Sequence, residues 1–411
     1  MKYKLPFLIT AILLACAVYS NLNQLSFASV DDNWMLLNEK LVRSTSFNMQ
    51  FLSEVFTRIN SLQYSPVNTI YYYLVYQING YDAYWFHLFS FFIHLSNVVL
   101  IYVLTKKIIT VYKLANPDII AWSVALLWAV VPFNVEAVVW ISASKILLYT
   151  FFGMLSFIFF IDALLGRKKI YYLLSVISFI LSCLCKEQAV LFPLMMAVFV
   201  FTCQTGPAYE KFIKKITLLL PFLAIAFFFG LVSLYVAIYG TGTHDIPRYA
   251  FSQRIVLSFF CIGFYIFNLF VPVNLHYHYA FPVSPGTTLP SSYYIYPFAM
   301  LLIGWQLKNF LKNSVNRGFY LFCLGLFIVH LLLCVQIFPL ARASMLADRY
   351  MYIPSIGLIM LVICLLNITL RPTFDKFTIK NTVLVTGYAA YLLTIAFYSH
   401  NLIDNWKMLS L

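Results

Sequence analysis

Long apolar stretches follow one another along nearly the whole chain, and they leave it few ways to fold. They fall at 5–22, 86–105, 118–133, 146–165, 170–184, 189–203, 216–239, 293–307, 318–339, 351–370 and 381–399, with a further run at 255–271. About 20 apolar residues in a helix cross the roughly 30 Å of a bilayer's hydrocarbon. Lipid offers the backbone no hydrogen bonds, so such segments must satisfy their own as helices. The chain is 62% hydrophobic and only 10% charged, whereas a soluble surface needs roughly 25% charged residues. The sequence therefore predicts an all-α polytopic membrane protein and excludes a soluble domain.

Lysines and arginines set the expected orientation, because cytoplasmic loops retain them. Lys2/Lys4, Lys106/Lys107/Lys113, Arg167/Lys168/Lys169 and Lys211/Lys214/Lys215 fall at alternate connections, which places the N-terminus inside. Lys308/Lys312/Arg317 and Arg371/Lys376/Lys380 stay inside only if 255–271 does not fully cross. That run is accordingly expected to be re-entrant or surface-lying, giving about 11 spans (11–13) and an external C-terminus. The whole formal net charge of +13 then lies on the cytoplasmic face of a plasma (inner) membrane, where anionic lipids favour it. The high charge thus calls for membrane lipids as partners and for no nucleic acid. "MKYKLPFLITAILLACA" has the basic start and short apolar core of a signal peptide, but the many spans that follow favour an uncleaved first span. The cysteines, including Cys16, Cys261, Cys323 and Cys334, sit mostly in apolar runs, and Cys183 with Cys185 is too close for a CxxC motif. They read as small packing residues.

Residues 1–411 are expected to form a single transmembrane domain with two external regions and no C-terminal repeat domain. The first region, 23–85, is too long for a connector, and its "YYYLVYQINGYDAYWF" reads as juxtamembrane helix at the headgroup level. The second, 240–292, is rich in Pro and Gly and reads as irregular.

The polar residues that could carry chemistry gather at the ends of the spans. Asp31 and Asp32 are adjacent and so cannot share a helix face. One could meet a reacting group while its neighbour orients something else, or the pair could simply cap the helix of "NWMLLNEK". "VPFNVEAVVWISASK" puts Glu136 at the outer boundary, with Lys145 nine residues on as an ion-pair partner or an anion ligand. "CKEQAVLFP" places Lys186 and Glu187 in a short outer turn, and "LADRYMYIP" does the same for Asp348, Arg349 and Tyr350. By the orientation above, Lys145, Lys186 and Arg349 stand at the same surface as the aspartates. Such a set suits a lipid phosphate, with arginine able to bind it in bidentate fashion, although snorkelling alone explains any single member. His87 and His94, seven apart, share a helix face that Asn97 extends, and interhelical hydrogen bonding is their expected role. No metal site is expected from the "HYH" at 276–278, and no phosphate loop or Ser-His-Asp pattern is present.

Together these pieces resemble the GT-C class of polytopic glycosyltransferases, and within it the transmembrane O-mannosyltransferase family that usually ends in tetratricopeptide repeats. Five segments carry the resemblance, in the family's order: "FASVDDNWMLLNEKLV", "WFHLFSFFIHLSNVVLIYVL", "VPFNVEAVVWISASKILL", "CKEQAVLFP" and "ADRYMYIPSIGL". "NLIDNWKMLSL" looks like the run-out before the repeats. The resemblance implies an inverting transferase that takes a sugar, mannose by expectation, from a polyprenyl-phosphate donor on the external face. The acceptor is a hydroxyl of a protein, glycan or lipid. Asp31 or Asp32 is then the general base, and Lys186, Arg349 and Lys145 meet the departing phosphate. Glu136, Glu187 and Asp348 hold those cations, and His94 supports the core of the site. The donor lipid is a substrate; no cofactor is implied, and the need for a metal stays open.

The chain departs from the family pattern at Val131, where a histidine is common, and at Ser144 and Ile146, where an arginine and an acid are usual. Ser90 stands where an asparagine is usual. The expected missing repeats remove the part that would recognise a protein acceptor, so a separate repeat-carrying partner is one way to supply it. Two other readings compete: a transporter or flippase of lipid-linked sugar or polysaccharide, with ionisable groups near the midplane, and a noncatalytic membrane scaffold.

Overall fold

A computed structural model describes residues 4–59, 63–203, 210–239, 249–338, 344–370 and 379–409. Residues 240–248 of the region expected to be the second external one lie outside the described residues, as do Lys2, Arg371 and Lys376. Among the described residues the protein is helical and contains no strand longer than an isolated bridge. Helix α1 (Lys4–Val18) leads into the first loop, which carries α2 (Met49–Thr57) and α3 (Pro66–Asn79). The 29-residue α4 (Ala83–Val111) packs against α5 (Pro117–Val130) and α7 (Ser144–Leu164), with the one-turn α6 (Val135–Val139) between those two. Helix α7 forms a hairpin with α8 (Lys169–Cys185). Next come α9 (Phe192–Thr202), α10 (Glu210–Tyr239), α11 (Phe251–Phe270) and α12 (Ile295–Lys312), and then the packed pair α13 (Arg317–Leu331) and α14 (Pro354–Leu370). Helix α15 (Ile379–Leu402) returns to α1, and the short α16 (Asp404–Lys407) follows it.

Among the described residues five helices are long and apolar enough to cross a membrane: Ala83–Val111, Ile141–Leu164, Ile216–Tyr239, Phe251–Phe270 and Thr382–Lys407. A sixth arises if Pro117–Val130 and Pro132–Val139 form one span bent by 58°. Five shorter apolar helices stand beside them. An integral membrane protein follows from this; the count of 11 is finer than these lengths establish. The run at 255–271, expected to be re-entrant or surface-lying, falls on an unbroken 20-residue helix of spanning length. The expected span at 293–307 falls on α12, which buries only Leu311 and leaves Phe298, Leu301 and Trp305 exposed.

Local chemistry explains the breaks that matter for the site. Proline at position 132 has no N–H and pushes the residue before it out of the helical region, so α5 stops. Val131 is extended, at φ −59° and ψ 130°, and the Asn134 amide donates to the Trp128 carbonyl at 2.6 Å, satisfying one freed acceptor. The chain then bends by 58° into α6, which carries Glu136. The aromatic stretch of the first loop is two helices rather than one. Gly80, at φ +63°, ends α3, and the Asp82 side chain accepts from the Tyr84 N–H at 3.0 Å to start α4. Tyr72 of α3 is buried, and its hydroxyl donates to the Ile141 carbonyl at 3.0 Å. Helices α13 and α14 meet closely at Gly357, where an added Cβ would lie 2.4 Å from the Cys323 carbonyl oxygen.

Candidate active site at one end of the bundle

The two aspartates of the first loop have different surroundings. Asp32 is fully buried. Its Oδ2 accepts the Ala28 N–H at 2.7 Å, and its Oδ1 accepts the Ser142 N–H at 2.9 Å together with the Ser142 hydroxyl. Burial pushes this carboxyl above its usual range, against the hydrogen bonds from Ser142 and Ala28 that favour its charged form. Asp32 thus ties the loop after α1 to the turn before α7. Asp31 is half-buried, and its carboxylate meets one side-chain donor among the described residues, the Trp34 indole N–H at 3.1 Å. The expected N-cap is not formed. Asp32 precedes the turn Asn33–Leu37 in helical conformation, with no side-chain cap. That turn is wide, the Asn38 N–H reaching the Asn33 carbonyl five residues back at 2.8 Å.

The three cations predicted to meet phosphate sit on separate helix ends of this same side. Arg349 follows Asp348 in the turn before α14. Its guanidinium pairs with Glu136, which is only 2% exposed, and Glu136 also accepts the Arg349 backbone N–H at 2.7 Å. The guanidinium lies 4.8 Å over the Trp140 ring and 5.0 Å from the Tyr350 ring, a cation–π arrangement that suits arginine. Lys186 caps α8 and pairs with Glu187 at 3.0 Å. Lys145, in the first turn of α7, is 7% exposed, and its ammonium contacts the Gln63 side-chain oxygen and, at 3.6 Å, the Met35 sulfur. It lies within electrostatic reach of Lys186, Glu187, Asp31 and Arg349. The helix ends thereby bring together Asp31, Lys145, Lys186, Glu187 and Arg349.

Asp348 faces elsewhere than expected. It is buried and accepts the Tyr279 hydroxyl at 2.6 Å, fixing the segment after α11 to the turn that carries Arg349. Burial, with the Glu136 charge beside it, pushes its carboxyl well above the usual range. His94 takes the role expected of its helix face. Its Nδ1 lies 2.8 Å from the Tyr352 hydroxyl and its Nε2 3.1 Å from the Ala129 carbonyl, joining α4 to α5 and to the start of α14. Asn97 reaches the same Tyr352 hydroxyl at 3.3 Å. His94 therefore braces the elements under the site from inside the core.

The departures from the family pattern are built into the fold. Ser144 donates to the Asn68 side chain at 2.9 Å, and Ser90 pairs with the Tyr71 hydroxyl at 3.1 Å, so both anchor α3. Val131 and Ile146 are buried apolar residues. Sequence reasoning missed Ser142, Trp34, Gln63 and Tyr279. Trp34 alone had a local signal, lying three residues after Asp31. Among the described residues no group of His, Cys, Asp and Glu could hold a metal ion.

No protein-family model matches the chain. Two solved structures of an oligosaccharyltransferase from Archaeoglobus fulgidus share its fold. One, tethered with an acceptor peptide containing an NVT sequon, superposes with a TM-score of 0.53 at 12% identity, over 98% of this chain and 56% of that one. The other, in complex with an inhibitory peptide and a dolichol-phosphate, gives 0.54 at 11% identity, over 97% and 55%. The fold is therefore that of these membrane oligosaccharyltransferases, in keeping with the GT-C resemblance. In sequence, the chain is 26% identical to a protein O-mannosyl-transferase of Caenorhabditis elegans over 343 residues, 80% of this chain and 47% of that protein. The chain spans about half the length of each of these proteins.

Proposed function

We propose that the protein is a membrane glycosyltransferase that moves a sugar from a polyprenyl-phosphate donor to a hydroxyl acceptor on the external face. The observation that carries this reading is Lys145. A buried ammonium is costly unless an anion compensates it, yet its contacts are an amide oxygen and a thioether. Two further cations, Lys186 and Arg349, stand in its field, each with its own carboxylate partner, Glu187 and Glu136, and so does Asp31. This arrangement is suited to an anionic ligand, and the dolichol-phosphate bound by one of the structures of the same fold gives the chemical class. Asp31 is the general base. It takes the proton of the acceptor hydroxyl as that oxygen bonds to the sugar's anomeric carbon from the face opposite the phosphate. The anomeric carbon–oxygen bond to phosphate breaks, the phosphate leaves with the electron pair, and configuration inverts. Asp32 holds the loop through Ser142, and Glu136 and Glu187 fix the cations. Mannose as the sugar and a protein serine or threonine as the acceptor follow the name of the C. elegans relative.

Binding of undecaprenyl phosphate to the detergent-solubilised protein tests the anion site. Lys145→Gln is expected to weaken binding at least tenfold while the fold persists. Unchanged binding would remove Lys145 from the site.

A further inference from the structure

We propose that Trp34 is a positioning residue for the reaction, its indole N–H holding the Asp31 carboxylate in its working orientation. The inference rests on Asp31 being the base. Two carboxylates that are neighbours in sequence are fixed by different means. Asp32 receives three donors, two of them backbone N–H groups. Asp31 receives from side chains, among the described residues, only Trp34 Nε1 at 3.1 Å.

An ordinary helical turn makes this contact possible. The Met35 N–H bonds to the Asp31 carbonyl at 3.0 Å, which brings the side chain of Trp34, three residues on, over the turn that Asp31 opens. Trp34 is itself held. Its ring packs against the cluster of Met35, Leu36, Val42 and Tyr72. It also forms one wall of a cavity of about 20 Å³ whose lining includes Arg58, Gln63 and Asn68. That space admits about one water molecule, so the indole has little room to move on that side. Gln63 in the same wall contacts Lys145. One face of the loop therefore touches both the base and an anion-binding cation, and Trp34 sets the position of the first.

Removing the N–H frees the χ angles of Asp31, so the carboxylate spends less time facing the acceptor hydroxyl and kcat falls. The donor phosphate is held by other residues, so KM for the donor stays in place.

The test uses the full chain in lipid nanodiscs with a polyprenyl-phosphate mannose donor, comparing Trp34→Phe and Asp31→Asn with native protein. A third variant carries 3-benzothienylalanine in place of Trp34, which keeps the ring's shape and replaces the N–H by sulfur. Trp34→Phe and the sulfur variant are expected to lose about tenfold in kcat, with donor KM within twofold. If the sulfur variant keeps the native kcat while Asp31→Asn is inactive, Trp34 does not position the base. If Asp31→Asn keeps native activity, the assignment of the base fails and takes the role of Trp34 with it.

Discussion

Replacing Asp32 should damage the fold, whereas replacing Asp31 should not, although the two are adjacent. Asp32→Ala strands the Ala28 and Ser142 N–H groups, which now donate at 2.7 and 2.9 Å in a fully buried position. A buried donor left without an acceptor costs about 1–3 kcal/mol. Neither N–H can turn to water, so the loss comes to about 2–6 kcal/mol; the Ser142 hydroxyl can rotate and is discounted. Asp32→Asn keeps one acceptor oxygen but turns an NH2 group toward one of the donors, for a loss of about 1–3 kcal/mol. Asp31→Ala forfeits a single 3.1 Å bond on a half-buried group, costing no more than about 1 kcal/mol. Thermal unfolding of the purified protein in one detergent, followed by tryptophan emission, should rank the variants native ≈ Asp31→Ala > Asp32→Asn > Asp32→Ala. Equal midpoints for Asp31→Ala and Asp32→Ala would refute the division of roles.

Three further outcomes follow from the same contacts. Glu136→Ala leaves the Arg349 guanidinium without its buried partner and should cost about 3–5 kcal/mol, while adding Arg349→Ala should cost much less than the sum of the two single changes; additive losses would contradict the pairing. Asp348, raised by burial, makes the folded protein hold a proton that the unfolded chain releases. Its contribution is therefore full below the ordinary carboxylate range and is lost as pH rises through the raised folded value; Asp348→Asn should gain stability relative to native protein over that interval, and parallel curves from unfolding midpoints against pH would contradict it. Gly357→Ala should loosen the contact of α13 with α14 by about 1–3 kcal/mol, because the new methyl meets the Cys323 backbone; an unchanged unfolding midpoint would show that the helices shift freely.

Apolar run length made the helices legible, since backbone satisfaction in lipid leaves little else. Pro132 marked the bend that carries Glu136, and the seven-residue spacing of His87 and His94 gave their shared face. What sequence could not supply was pairing at a distance. Tyr279 meets Asp348 from 69 positions away, and Ser142 meets Asp32 from 110; nothing local marks either contact. The same limit hid which aspartate is clamped, because burial depends on what the loop docks against. Helix α12 shows the converse. Its apolar composition reads as a span, yet it buries only one residue against the rest of the chain. Gly80 was visible in the sequence, but the aromatic run around it masked its effect.

Transfer of radiolabelled mannose from polyprenyl-phosphate mannose in proteoliposomes, with native protein, Asp31→Asn and Asp32→Asn side by side, tests the central claim most directly. The account predicts transfer by the native protein and its loss in Asp31→Asn, which stays folded and still binds the donor phosphate. Transfer by Asp31→Asn at the native rate would contradict it.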